Sequence, residues 1–257
     1  MEIFEAFLLG LIQGLTEFLP VSSSGHLLLA EKLGIGSPSL FFNLALHTGT
    51  LLAAAVYYRK ELSEIFRKPF SLQNRYILAA TAVTGVIAVF FKIFLGELLE
   101  GRYLAAGFFA TTLVLFSAEL FTDKKKNKKI NFKSALVCGL AQGIAVIPGL
   151  SRSGTTVSSL LLMDADRKEA ADFSFILSMP IIIAGMIAEI SGGGAASFTA
   201  GDILPLTVGM LTAALSGYLA VKFFIKLISK KSMKPFAVYT LIVGCICLGM
   251  YVIPLFK

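Results

Sequence analysis

Charged residues are scarce in this chain: they make up 15% of its 257 residues, whereas a soluble domain usually carries about 25%. Hydrophobic residues make up 56%, and the mean hydropathy is +0.81. The composition therefore excludes an ordinary soluble domain and predicts a single integral membrane domain, 1–257. The first apolar segment has no basic stretch before it and contains Gln13 and Glu17, so we do not expect a cleaved signal peptide.

Cysteine is also rare, and tryptophan is absent. Cys138, Cys245 and Cys247 lie in apolar runs. We interpret them as small packed residues, because a Cys-x-Cys pair without a nearby His or third Cys is a weak metal signal. The 22 phenylalanines would suit an apolar groove. The net charge of +7 could attract nucleic acid, but the cations cluster between apolar segments, so we expect no nucleic-acid partner.

Six apolar segments are long enough to cross a bilayer, which requires about 20 mostly apolar residues. They are 40–58, 76–95, 103–121, 172–190, 203–225 and 236–256. Two further segments, 3–30 and 134–163, are interrupted by Pro, Gly and Ser. Unpaired backbone groups are costly in lipid. We therefore predict that each interrupted segment forms a re-entrant helix–loop–helix hairpin, with its break buried against protein or a wet cavity.

The two interrupted segments share one motif. Residues 10–25 have the sequence GLIQGLTEFLPVSSSG, and residues 139–154 have the sequence GLAQGIAVIPGLSRSG. An alignment without gaps gives identical residues at Gly10, Leu11, Gln13, Gly14, Ser22, Ser24 and Gly25 and at their counterparts 139, 140, 142, 143, 151, 153 and 154. A repeated, broken, polar element in a membrane protein is typical of two halves that meet around a substrate.

The basic residues predict the orientation of the chain. Most Lys and Arg fall in four clusters: 59–75, 124–133, 167–168 and 222–234. The positive-inside rule places these loops in the cytoplasm, where they would also attract anionic lipid headgroups. The six spans then cross the membrane in alternating directions only if each hairpin returns to the side from which it entered. Both termini would then lie outside the cytoplasm.

The predicted fold is an all-α polytopic membrane protein with an inverted-topology repeat. Each half, 1–122 and 134–257, contains one hairpin and three spans, and the odd number of spans inverts the second half. Glycine-rich spans can pack within one chain or between chains, so a homodimer is compatible with this prediction. We expect a multi-pass protein of the inner (plasma) membrane.

Arg152 is the only cation between 134 and 163, where a charge costs about 2.5–3.5 kcal/mol at the centre of a spanning helix. It either pairs with a buried carboxylate for structural reasons or binds an anion. A helix is predicted to begin near Thr155, so backbone N–H groups, hydroxyls, the helix dipole and the guanidinium could together cradle a phosphate. Chloride or a carboxylate could use the same groups. The small and hydroxyl residues of this predicted cradle are Gly149, Ser151, Ser153, Gly154, Thr155 and Thr156.

The first hairpin adds groups that a simple anion site does not need. Glu17 is the only acid between Glu5 and Glu31, and Gln13 lies one helical turn before it. His26 follows the break Ser22–Ser23–Ser24–Gly25. A carboxylate, hydroxyls and an imidazole beside a phosphate suit phosphoryl transfer. The structural alternatives are a packing role for Glu17 and hydroxyls that only satisfy the broken backbone; we interpret His47 as structural.

These motifs resemble those of the undecaprenyl-diphosphate phosphatase family, the bacitracin-resistance phosphatases. QGLTEFLPVSSSGH and PGLSRSGTT match the two signature motifs of that family over a chain of similar length and hydropathy. The resemblance implies that Glu17, His26 and Arg152 are essential and that Ser23 acts in catalysis. Position 13 is Gln where many members have Glu, which weakens any mechanism that needs two carboxylates.

The resemblance implies removal of the terminal phosphate from undecaprenyl diphosphate, which recycles the lipid carrier for cell-wall synthesis. It implies Mg²⁺ or Ca²⁺ dependence, with Glu17 the one clear ligand and substrate oxygens the others, and an active site outside the cytoplasm. Ser23, His26 or a water would attack phosphorus. The residues predicted to bind substrate are Gln13, Ser22, Ser24 and Gly25 together with the cradle residues near Arg152.

A transporter or flippase for polyprenyl phosphate or another anion is the alternative, because inverted repeats with broken helices are typical of carriers. Glu17 and His26 argue against it, since an acid beside the bound anion would repel it.

Overall fold

The computed structural model describes residues 2–36, 39–122, 128–191, 200–229 and 231–252. Within these ranges the chain forms eleven α-helices and no β-strand. The helices are α1 Ile3–Phe18, α2 Ser23–Lys32, α3 Leu40–Tyr57, α4 Arg59–Arg67, α5 Leu72–Phe94, α6 Leu104–Phe121, α7 Phe132–Ile144, α8 Arg152–Leu162, α9 Arg167–Ser191, α10 Ile203–Ile228 and α11 Lys234–Val252.

Five of these helices, α5, α6, α9, α10 and α11, are long and apolar enough to cross a membrane. The prediction of an all-α polytopic membrane protein is confirmed. The sixth predicted span corresponds to α3, whose apolar part, Phe41–Tyr57, is shorter than the other five. Helices α5 and α9 begin several residues before the predicted spans, because a helix continues through polar residues that an apolar pattern leaves out. The last residues of the predicted span 236–256 lie outside the described residues.

Both interrupted segments consist of two helices with a break between them. In the first, Leu19 adopts an extended conformation before Pro20 and ends α1, as residues before proline commonly do. Ser22 then caps α2 by accepting a hydrogen bond from the Gly25 N–H at 3.3 Å. In the second, Ser151 caps α8 in the same way, from the Gly154 N–H at 3.1 Å. The serine and glycine shared by the two motifs thus form the same helix cap twice.

Each interrupted segment packs against a helix of the other half of the chain: α1 against α10, and α7 against α5. The shared glycines allow this close approach. A Cβ atom at Gly139 would lie 2.4 Å from the Ala80 carbonyl oxygen. At each of the two contacts a hydroxyl also donates a hydrogen bond to a carbonyl of the interrupted segment. Thr84 donates to the Gly139 carbonyl at 2.9 Å, and Ser216 donates to the Gly10 carbonyl at 3.5 Å.

Gly139→Ala is expected to destabilise the fold by about 1–3 kcal/mol, because the added methyl group would overlap backbone atoms that cannot rotate away. Thermal unfolding in detergent would show this as a lower apparent Tm. Gly85→Ala is the matched control on the facing helix, since its Cβ would meet no atom within 4 Å and alanine favours helix. Equal Tm values for the two variants would contradict the packing argument.

Candidate active site

Glu17 is buried near the end of α1, and each of its carboxylate oxygens is hydrogen-bonded. Gln13, one turn earlier, donates from Nε2 to Glu17 Oε2 at 3.0 Å, and Ser23 Oγ donates to the same oxygen at 2.5 Å. The Arg152 guanidinium pairs with Oε1. A buried carboxylate is tolerable only when it is paired and hydrogen-bonded in this way. These contacts therefore hold Glu17 ionised, with the Ser23 hydroxyl directed at it.

Arg152 reaches Glu17 from the other interrupted segment, where it is the first residue of α8. Its pairing with a buried carboxylate matches the structural alternative raised from the sequence. The partner, however, is the one acid of the other motif, and both side chains line the same cavity. A guanidinium has five N–H donors, so Arg152 can pair with Glu17 and still offer donors to an anion.

The two breaks touch each other directly. Ser153 Oγ donates to the Leu19 carbonyl at 3.0 Å. A Cβ atom at Gly25 would lie 3.0 Å from the Cα of Gly149, and Gly149 itself has φ +88°, which a side chain would strain. These glycines therefore let the two backbones meet. The structure brings both sequence motifs to one place, with Glu17, Ser23 and Arg152 in contact.

A cavity of about 340 Å³ lies where the breaks meet. Its polar wall contains the N-termini of both α2 and α8, and its apolar residues come from α3, the second break and the second half of α9. The polar lining residues are Thr16, Glu17, Ser22, Ser23, Ser24, His47, Gln142, Ser151, Arg152 and Ser153, and the apolar ones include Leu44, Ile181, Ile182 and Met186. The cavity can thus hold a polar group against the breaks and a hydrocarbon along α9.

Several residues predicted to bind substrate do not line this cavity. Thr155 Oγ1 donates to the Ser151 carbonyl at 2.7 Å, and Thr156 Oγ1 donates to the Arg152 carbonyl at 2.7 Å. Both hydroxyls are therefore engaged within the first turns of α8. Gln13 is hydrogen-bonded to Glu17 and His47. Gly25 and Gly154 pack between the breaks, whereas Gly149 packs against α6. The predicted site residues outside the cavity lining are Gln13, Gly25, His26, Gly149, Gly154, Thr155 and Thr156.

His26 does not line the cavity, although Ser23 does; the His26 ring contacts α6 and α11. Its Nδ1 is 2.7 Å from the Ser22 carbonyl oxygen, and its Nε2 is 2.8 Å from the Tyr239 hydroxyl. The Tyr239 ring stacks on it with an interplanar angle of 4°, and Phe108 contacts it edge-on. The described contacts of His26 are therefore with the Ser22 carbonyl and with aromatic side chains of α6 and α11.

A family model described as bacitracin resistance protein BacA matches residues 6–246. The chain belongs to the BacA family. It is 39% identical over 249 residues to a protein named undecaprenyl-diphosphatase from Carboxydothermus hydrogenoformans, with 95% of each chain covered. A protein of the same name from Geotalea daltonii is 36% identical over 272 residues, covering 96% of this chain and 98% of the relative. Another, from Methanobrevibacter smithii, is 34% identical over 270 residues, with 96% of each covered.

Three polar residues of the cavity in this BacA-family chain were not among the predicted site residues: Thr16, His47 and Gln142. His47, which we interpreted as structural, lines the cavity and accepts a hydrogen bond on Nδ1 from Gln13 Nε2 at 3.1 Å. Gln142 also lines it and donates to Thr84 at 3.3 Å. His47 and Gln142 carried a usable signal: His47 is an ionisable residue inside an apolar segment, and Gln142 is the counterpart of Gln13 in the repeat.

The side chains at this BacA-family site supply too few ligands for a metal ion unless a bound substrate supplies the others. The described residues contain no group of three His, Cys, Asp or Glu side chains that could hold a metal ion. Glu17 is the one carboxylate among the residues lining the cavity, and both of its oxygens already accept hydrogen bonds. A divalent cation would have to replace one of these contacts and take its other ligands from phosphate and water.

Proposed function

We propose that this chain hydrolyses undecaprenyl diphosphate to undecaprenyl phosphate and inorganic phosphate. The observation that carries the proposal is the convergence of two helix N-termini and Arg152 on one cavity. Helix N-termini and guanidinium groups bind phosphate oxygens, and a diphosphate offers two phosphates to them. The apolar wall along α9 suits the first units of a prenyl chain. The relatives named undecaprenyl-diphosphatase agree with this substrate.

Ser23 is the nucleophile that the geometry favours. Its Oγ attacks the terminal phosphorus while its proton passes to Glu17 Oε2, only 2.5 Å away. The bond from that phosphorus to the bridging oxygen breaks, and the electron pair leaves on undecaprenyl phosphate. Water then attacks the phosphoserine and releases inorganic phosphate, and the Glu17 proton returns to Ser23. A water activated directly by Glu17 is the alternative, and it would form no phosphoenzyme.

Arg152 and the N-terminus of α8 would stabilise the transferred phosphoryl group. Charge on that group is spread over its equatorial oxygens in the transition state, and preorganised donors in a water-poor site stabilise it strongly. Ser151 and Ser153 line the same wall. Mg²⁺ or Ca²⁺, bound by Glu17 and the phosphates together, would further neutralise the diphosphate.

The membrane arrangement is part of the same proposal: six spans, with α3 as the sixth, and two re-entrant hairpins, 3–30 and 134–163, in inverted halves 1–122 and 134–257. Its support is the reciprocal packing of α1 on α10 and α7 on α5, together with the helix cap that both breaks share. The active site would open outside the cytoplasm, because its apolar wall lies on α9 far from the basic start of that helix at Arg167 and Lys168. That both termini lie outside the cytoplasm, and that the chain forms a homodimer, stay predictions.

Phosphate release from a C55 polyprenyl diphosphate by the purified protein in detergent tests the function. We expect release of one phosphate per lipid and a marked loss of rate in EDTA that added Mg²⁺ or Ca²⁺ restores. A C55 polyprenyl monophosphate is the matched control and should release none. If the folded protein releases no phosphate under any of these conditions, the proposal is refuted. The transporter, which the names of the relatives do not favour, would then be the remaining hypothesis.

A further inference from the structure

The contact between His26 and Tyr239 joins the first motif to the last helix of the chain. The two rings stack with centroids 5.6 Å apart, and the Tyr239 hydroxyl lies 2.8 Å from His26 Nε2. At the other side of the imidazole, Nδ1 faces the Ser22 carbonyl oxygen at 2.7 Å. A carbonyl can only accept, so Nδ1 carries the proton, and in the neutral ring Nε2 accepts from the tyrosine hydroxyl.

The carbonyl held by His26 belongs to a backbone position that needs support. Ser22 has φ 72°, and Asp164 is the one other non-glycine residue with positive φ in the described ranges. Side chains other than glycine rarely adopt this conformation, and such residues persist only when their surroundings fix them. Ser22 directly precedes Ser23, so its conformation sets the direction from which Ser23 reaches Glu17.

We propose that Tyr239 is a positioning residue, which fixes the His26 ring so that its Nδ1–H holds the Ser22 carbonyl and thereby aligns Ser23 with Glu17. On this account His26 acts through the backbone of the break and not on the phosphate. The inference rests on the proposed function for the part that concerns Ser23 and Glu17. It assigns to α11 a share in the active site, although no residue of α11 lines the cavity.

Two substitutions of His26 separate positioning from chemistry. In His26→Asn, the side-chain amide nitrogen can take the place of Nδ1 and keep the hydrogen bond to Ser22. In His26→Gln, the amide is one carbon farther out, nearer the place of Nε2. We expect His26→Asn to retain at least a tenth of the wild-type kcat and His26→Gln to fall at least tenfold below it, with KM within about twofold. Equal loss in the two folded variants would overturn the proposal, because an imidazole that attacks or transfers a proton is replaced by neither amide.

Tyr239→Phe keeps the stacked ring and removes only the hydroxyl. We expect kcat to fall about five- to tenfold with KM unchanged, whereas Tyr218→Phe, whose hydroxyl bonds to no described residue, should behave as wild type.

The chain has two histidines, so ¹⁵N NMR of histidine-labelled protein can follow the His26 tautomer, with the His26→Asn spectrum giving the assignment. We expect the Nδ1–H tautomer in wild type and a mixture in Tyr239→Phe.

An unchanged His26 tautomer together with an unchanged kcat in Tyr239→Phe would overturn the role of Tyr239. The NMR measurement needs no turnover. A wild-type protein without phosphatase activity would therefore refute the proposed function, while the tautomer result would still decide whether Tyr239 holds His26.

Discussion

Glu17→Gln is expected to lower kcat for phosphate release by about 10²–10⁴-fold, the range that a positioned general base contributes. The amide keeps the shape of the side chain, but it cannot accept the Ser23 proton. Substrate binding should change less, because Arg152 and the two helix N-termini remain. Steady-state kinetics with the C55 diphosphate would show the loss in kcat with KM changed by only a few-fold. Full turnover in Glu17→Gln would refute the assignment of Glu17.

Loss of a buried charge can also unfold a protein, so this prediction needs a control of the same kind. Glu119 is a second buried carboxylate paired with an arginine: Arg167 lies 2.9 Å away, and the Met233 N–H donates to the same oxygen at 2.8 Å. It does not line the cavity. Glu119→Gln should lower the apparent Tm as Glu17→Gln does, yet its folded fraction should keep the wild-type kcat. A similar fall in kcat for both variants would indicate loss of structure and not of chemistry.

Hydropathy and the repeat predicted most of the fold. Apolar length identified the helices that the structure shows as α3, α5, α6, α9, α10 and α11, and the Pro–Ser–Gly interruptions located both breaks. Both features can be recognised in a short stretch of sequence, because the hydrocarbon core of a membrane permits few alternatives to an unbroken helix. The amphipathic helix α4, rich in charge, was not predicted, since the search for spans considered only apolar length.

The residues of the candidate site could be predicted better than their contacts. Glu17 and Arg152 were predicted as site residues because each is an ionisable group inside an apolar run, but the ion pair between them comes from the structure. The direction of His26 could not, because it depends on Tyr239, 213 positions away. The glycines of the motifs were expected to present N–H groups to an anion, and the sequence did not predict their packing: Gly25 packs against Gly149, and Gly149 packs against α6. Sequence spacing does not show which side of a loop faces a cavity and which faces protein.

Arg152→Lys is expected to lower kcat/KM by about 10²–10³-fold while most of the protein stays folded. Lysine keeps the charge that Glu17 requires, so the penalty of an uncompensated buried carboxylate, about 3–5 kcal/mol when one partner of a buried pair is removed, is largely avoided. An ammonium group, however, cannot pair with Glu17 and bind phosphate oxygens as a planar fork at the same time. The lost donors act on the transferred phosphoryl group, where each is worth about 10²–10³ in rate.

Arg167→Lys is the matched control, since Arg167 pairs with buried Glu119 outside the cavity lining and loses the same fork geometry without touching substrate. Kinetics and thermal unfolding of both variants, side by side, would separate the two roles that the sequence left open for Arg152. If Arg152→Lys and Arg167→Lys lost stability alike and both kept wild-type kcat/KM, Arg152 would be a structural partner of Glu17 and the anion would bind elsewhere. If activity falls in Arg152→Lys alone, the ion pair that joins the two breaks is also the site where the phosphate is held, which would explain why each half of the chain contributes one of its charges.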